Sequence, residues 1–168
     1  QRPPEEMFQM TVSPKNAPDK ETLLKISFDK GTPIAVENLE DKTVVKDPVG
    51  IMVYLNEIAG KNGVGRVDMV ENRFVGMKSR GVYECPAGTV LYDTHLDLEA
   101  ITLDKEVKKL KQLLAPIFAE RVYSGFWFSS EMEVLNKFMD STQGSVSGSV
   151  YVALYKGTPK GRHKITKT

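Results

Sequence analysis

One cysteine, two histidines and one tryptophan are all that this chain of 168 residues holds of three types that often anchor disulfides, metals or cores. The lone Cys85 cannot close an internal disulfide, which suits a reducing compartment. His95 and His163 stand too far apart in sequence to form a local metal site. No run of about 18 apolar residues exists, so no membrane-spanning helix is expected. The formal net charge is only +1, so no global field draws the chain to nucleic acid or a membrane surface. A phosphate-binding glycine-rich loop, a CxxC pair and a GxSxG elbow are all missing. The opening Gln1-Arg2-Pro3-Pro4-Glu5-Glu6 is neither a signal nor a transit peptide, and its lack of an initiator methionine suggests a start within a longer protein.

What is present has the makings of one domain. Residues 1–21 carry four prolines and read as an extended arm, with one short strand at Met7 to Val12. Leu24, Ile26 and Phe28 alternate, Asp29-Lys30-Gly31-Thr32 turns the chain, and Ile34 and Val36 alternate on the way back, which predicts a β-hairpin over 22–37. Asp47 and Pro48 open a helix on which Ile51, Tyr54, Leu55 and Ile58 follow helical spacing, with Gly60 near its stop.

Farther along, 64–75 reads as strand-like, 76–88 as loop, and 89–100 as a helix. Val107, Leu110, Leu114, Ile117, Phe118 and Val122 predict a long amphipathic helix over 102–123. Lysines 105, 108, 109 and 111 are expected on its open face, with a kink at Pro116. Met132, Leu135, Phe138 and Met139 predict a shorter helix, and Val146, Val150, Val152 and Leu154 a final strand pair. Residues 158–168 are basic and aperiodic, and are expected to lack fixed structure. Hairpins and helices without βαβ alternation point to an α+β fold, a mixed sheet packed against several helices.

The densest chemistry lies between Val70 and Pro86, where charges, an amide, a hydroxyl and an aromatic crowd around two glycines. Carboxylates there suit an ammonium or ureido N–H group, and Lys or Arg a carboxylate. Pattern alone leaves two readings open, a solvated polar loop or a cradle for a small zwitterion.

Glu71-Asn72-Arg73-Phe74, Gly76, Lys78-Ser79-Arg80-Gly81, Tyr83-Glu84 and Gly88-Thr89 resemble the signature of the argininosuccinate synthases. The likeness extends to Tyr54 through Arg66 upstream, and downstream to His95-Leu96-Asp97-Leu98-Glu99 and Phe118-Ala119-Glu120 through Phe126-Trp127; it covers about 20–157 and fades after Lys156-Gly157. It implies the C-terminal domain of that family over 22–157. The family's enzymes are ATP-dependent ligases of arginine biosynthesis and the urea cycle. They join citrulline to aspartate, releasing AMP and pyrophosphate.

The resemblance further implies that Glu71 and Tyr83 contact citrulline, that the assembly is a homotetramer, and that the protein is cytoplasmic. ATP, with magnesium, would be bound mainly by an N-terminal domain. That domain's Ser-Gly-Gly-Leu-Asp-Thr-Ser loop and aspartate-binding residues are absent here, so the chain alone is expected to be inactive. No catalytic, cofactor-binding or metal-ligating residue is assigned on this chain, and Glu84 is given no substrate role. Lys78 and Arg80 take no assigned role; His95 is expected to be structural, Phe126, Trp127 and Phe128 core or interface, and Cys85, where the family usually has threonine, inert. The competing reading is a truncated oligomerisation or regulatory module without catalysis.

Overall fold

A computed structural model describes the backbone of residues 2–167 and the side chains of residues 2–160. The predicted first hairpin is formed by β1 (Thr22–Asp29) and β2 (Thr32–Asn38). Lys30 and Gly31 turn the chain at φ 46° and 77°, the left-handed pair a two-residue hairpin loop needs. Leu24, Ile26 and Phe28 alternate into the core, as their spacing predicts.

A short β3 (Val44–Val45) borders β2. Next comes α1 (Pro48–Lys61), whose Gly50 amide donates to the Asp47 carboxylate at 2.6 Å, with Pro48 at its first position. β4 (Arg66–Asn72) and β5 (Lys78–Glu84) follow, then α2 (Pro86–Thr102), α3 (Lys105–Tyr123), α4 (Ser130–Thr142), β6 (Gly148–Tyr155) and β7 (Thr158–Lys167).

The five-stranded sheet runs β3-β2-β1-β6-β7 and is antiparallel throughout. Val36 of β2 and Val150, Val152 and Leu154 of β6 join the β1 residues in a core with Ile51, Leu55 and Ala59 of α1 and Val90 and Leu98 of α2. Apolar burial of this kind is the main stabilising term, about 25 cal/mol per Å². The fold is α+β, as expected. None of the helices among the described residues is long and apolar enough to cross a membrane.

Four stretches differ from expectation. Residues 76–88 are not a loop: β5 occupies most of them and pairs with β4 in a separate two-stranded sheet. Most of the hairpin's side chains stay exposed, so no period-two apolar signal marks it. The final strand pair is β6 with β7, and so includes the stretch expected to lack structure. Lys156 and Gly157, at φ 42° and 87°, repeat the turn of the first hairpin and launch β7 along β6. An edge strand needs only its neighbour's backbone, and a lysine- and arginine-rich sequence suits an edge. Thr168 lies outside the described residues.

The arm forms no strand at 7–12. It makes a 3-10 turn at Glu5–Met7, then runs along the end of α1, where the Val12 amide donates to the Gly60 carbonyl at 3.1 Å. Finally, α3 buries none of its residues, although it packs against α4. Leu110, Leu113 and Ile117 remain exposed, and so do Phe126, Trp127 and Phe128, which form no part of this chain's core. Lys111, expected in solvent, instead reaches the Glu99 carboxylate at 2.9 Å; Glu99 is only 2% exposed.

Candidate functional site

The β4–β5 hairpin sets Arg66 opposite Glu84 at its base and Glu71 opposite Ser79 near its tip. Its turn closes through the Arg73 amide to the Met77 carbonyl and the Gly76 amide to the Arg73 carbonyl, each 2.7 Å. Side chains alternate across a strand, so Val67, Met69 and Glu71 share one face with Ser79, Gly81 and Tyr83.

On that face the two expected substrate contacts meet. The Tyr83 hydroxyl donates to Glu71 Oε1 at 2.5 Å. The Glu71 side chain is 19% exposed, with one Arg73 guanidinium nitrogen 3.7 Å away, while Arg73 also donates to the Ser79 hydroxyl at 3.1 Å. Tyr83 itself is 40% exposed. Its hydrogen bond to the Glu71 carboxylate holds the phenol's pKa above the ordinary tyrosine range; partial burial and the carboxylate's charge add to this, and Arg73 opposes it. Replacing Glu71 by Gln removes the charge that opposes phenolate formation. Tyr83 is then expected to ionise at lower pH, a shift read from its 13Cζ resonance in a tyrosine-labelled chain.

The other face carries Arg80, which donates to both oxygens of Asp68 at 2.7 and 2.6 Å, away from the Glu71–Tyr83 pair. Lys78 sits opposite Asn72 at the tip. At the base, Glu84 and Arg66 grip the arm. The amides of Gln9, Met10 and Thr11 and the Thr11 hydroxyl all donate to the Glu84 carboxylate, at 2.6–3.0 Å. Arg66 donates to the Thr11 hydroxyl and carbonyl, both at 2.8 Å, pairs with Glu5, and lies 3.7 Å from the centre of the Phe8 ring. The amides that a strand partner would have taken at 9–11 are taken by one side chain.

Glu84 therefore has a structural task that its neutral reading in the sequence missed. Opposition of Arg66 and Glu84 follows from the hairpin register, and 76–88 carries no sign of that register. His95 lies apart, on α2. Its Nε2 is 2.9 Å from Gln143 Oε1 and its Nδ1 is 3.7 Å from buried Glu99. Cys85 is exposed between β5 and α2.

A family model described as the Arginosuccinate synthase C-terminal domain matches residues 1–164, so the likeness takes in the arm and much of β7 as well as 20–157. An argininosuccinate synthase of Thermotoga sp. (strain RQ2) is 57% identical over 155 residues, which is 92% of this chain and 38% of the relative. The argininosuccinate synthases of Danio rerio and Rattus norvegicus are 50% and 51% identical over 154 residues. The chain spans about 38% of the length of such relatives.

Proposed function

This chain belongs to the argininosuccinate synthase family as its C-terminal domain, and from that premise we propose that it forms one wall of the site where citrulline is joined to aspartate. The observation that carries the reading is the convergence of Tyr83 and Glu71 on one face of the hairpin. A carboxylate accepts hydrogen bonds from an ammonium or ureido N–H group, and a phenol that already donates to it keeps oxygen lone pairs for another. The two groups, joined to each other, thus suit one polar end of a citrulline molecule, and both act by positioning rather than by moving protons.

In this reading the ureido oxygen of citrulline attacks the α-phosphorus of ATP. An O–P bond forms, the bond to the β-phosphate breaks, and pyrophosphate leaves. The amine of aspartate then attacks the ureido carbon; AMP departs and the amine loses a proton. Such chemistry depends on alignment and charge. Glu71 and Tyr83 would align the attacking oxygen. ATP, its magnesium and aspartate are assigned to the domain that precedes this one in full-length synthases. The same reading makes the protein a cytoplasmic ligase of arginine biosynthesis. It also places subunit contacts of a homotetramer on α3, whose Leu110, Leu113 and Ile117 are left open within the chain.

The test is to graft this chain onto the ATP-binding domain of the Thermotoga relative. The chimera is expected to release pyrophosphate only when ATP, magnesium and citrulline are all present. The chain alone should release none. A chimera that folds and binds ATP yet releases no pyrophosphate would count against the reading, as would release by the isolated chain.

A further inference from the structure

Gly81 sits in the middle of β5, where glycine weakens a strand and commonly marks a close approach by another group. Its backbone does not call for glycine, because its φ lies outside the left-handed region that side chains avoid. It is buried, although most of the hairpin around it is open to solvent. The cover is the ring of Tyr83. A Cβ built on Gly81 would stand 2.6 Å from the Tyr83 hydroxyl oxygen and 2.7 Å from Cζ, and closer still to Cε2. Tyr83 is two residues along the same strand and opposite Val67, whereas Glu71 is opposite Ser79. To reach Glu71 the phenol must therefore lie lengthwise over residue 81.

We infer that Gly81 is a positioning residue for the substrate site: it leaves open the trough in which the Tyr83 ring lies, so that the phenol meets Glu71. The inference rests on the reading of Glu71 and Tyr83 as the citrulline pair. Any side chain at 81 meets the ring first, and the ring, at the end of a rotatable side chain, yields before the strand does. The hydroxyl then leaves Glu71, and Glu71 keeps Arg73 as its neighbour on that face.

Two measurements separate this inference from the reading beneath it. The first uses the chain labelled with 13Cζ-tyrosine, in which Tyr83 is the resonance lost in Tyr83→Phe. Gly81→Ala is expected to lower the pH at which Tyr83 ionises, in the same direction as Glu71→Gln. An unchanged midpoint would overturn the inference whatever the chain binds. The second uses a full-length synthase carrying this domain. Gly81→Ala should raise the KM for citrulline about threefold to tenfold and leave the KM for ATP in place. In a Tyr83→Ala background, where no ring remains to displace, the same substitution should add nothing. An equal penalty in both backgrounds would trace the effect to the strand itself and overturn the inference. Should Tyr83→Phe leave citrulline use intact while Gly81→Ala still moves the Tyr83 midpoint, the substrate reading fails and the packing role of Gly81 stands.

Discussion

Glu71→Gln in a full-length synthase carrying this domain is expected to lower kcat/KM for citrulline about ten- to hundredfold and to leave ATP binding nearly unchanged. The substitution keeps shape and removes one charge. A hydrogen bond to a charged group contributes about 1.5–3 kcal/mol, and 1.4 kcal/mol corresponds to about tenfold. Tyr83→Phe removes a neutral donor, worth about 0.5–1.5 kcal/mol, so a loss of about threefold to tenfold is expected. The 2.5 Å bond between the two groups adds a condition. Each single change also deprives the other residue of its partner, so the double variant should lose less than the product of the single losses. Steady-state kinetics with each substrate varied in turn check both points. A rise in the KM for ATP alone after Glu71→Gln would break the assignment to citrulline. Glu57→Gln is the suitable control, since Glu57 makes only an exposed helix pair with Lys61.

Glu84 is unsuitable as that control, because its carboxylate holds the arm. Glu84→Ala is expected to destabilise the chain by about 1.5–3 kcal/mol, since it strips one charged acceptor from four donors. For a chain of this size that corresponds to a fall of about 3–12 °C in Tm. Thermal unfolding followed by circular dichroism gives the value, and limited proteolysis should find the first cuts between Gln9 and Val12. A Tm unchanged within 1–2 °C (about 0.5 kcal/mol) would mean that the arm is held by other contacts.

The same clamp should respond to pH. Burial disfavours the charged Glu84, but the hydrogen bonds from Thr11, Gln9 and Met10 outweigh it and hold the carboxyl below its ordinary 4.5. With the folded pKa depressed, the stabilisation is complete above the ordinary value and is lost as pH falls through the folded one. Acid should therefore loosen the arm, and a Glu84→Gln chain should have lost that part of its acid sensitivity.

Where one face of an element is buried, residue spacing alone located it. Leu24, Ile26 and Phe28 announced β1, and Asp47-Pro48 announced the start of α1. β4 falls within the stretch read as strand-like, but β5 and its pairing with β4 escaped because the main core covers neither face of the hairpin, so nothing selects an alternating pattern there. β7 escaped because an edge strand asks little of its side chains. The arm escaped because its amides bond to a side chain distant in sequence. Glu71 and Tyr83 were legible only through family resemblance. Their contact needs the strand register and the empty space at Gly81, and neither leaves a mark in composition or period.

The order of strands in the main sheet governs how this chain can be made. β1 lies between β2 and β6, and the hydroxyls of Ser27 and Ser149, paired across β1 and β6, are 122 residues apart in sequence. At roughly 5–20 residues per second a ribosome needs about 6–25 s between those two positions. Throughout that interval β1 can pair with β2, while its other edge has no strand to meet and the apolar side chains of α1 and α2 have only half a sheet to cover. Closure of so distant a pair is slow as well as late. The nascent chain therefore presents an open strand edge beside an uncovered apolar face, the combination most open to capture by a neighbouring chain on the same message and the natural point for a chaperone to act.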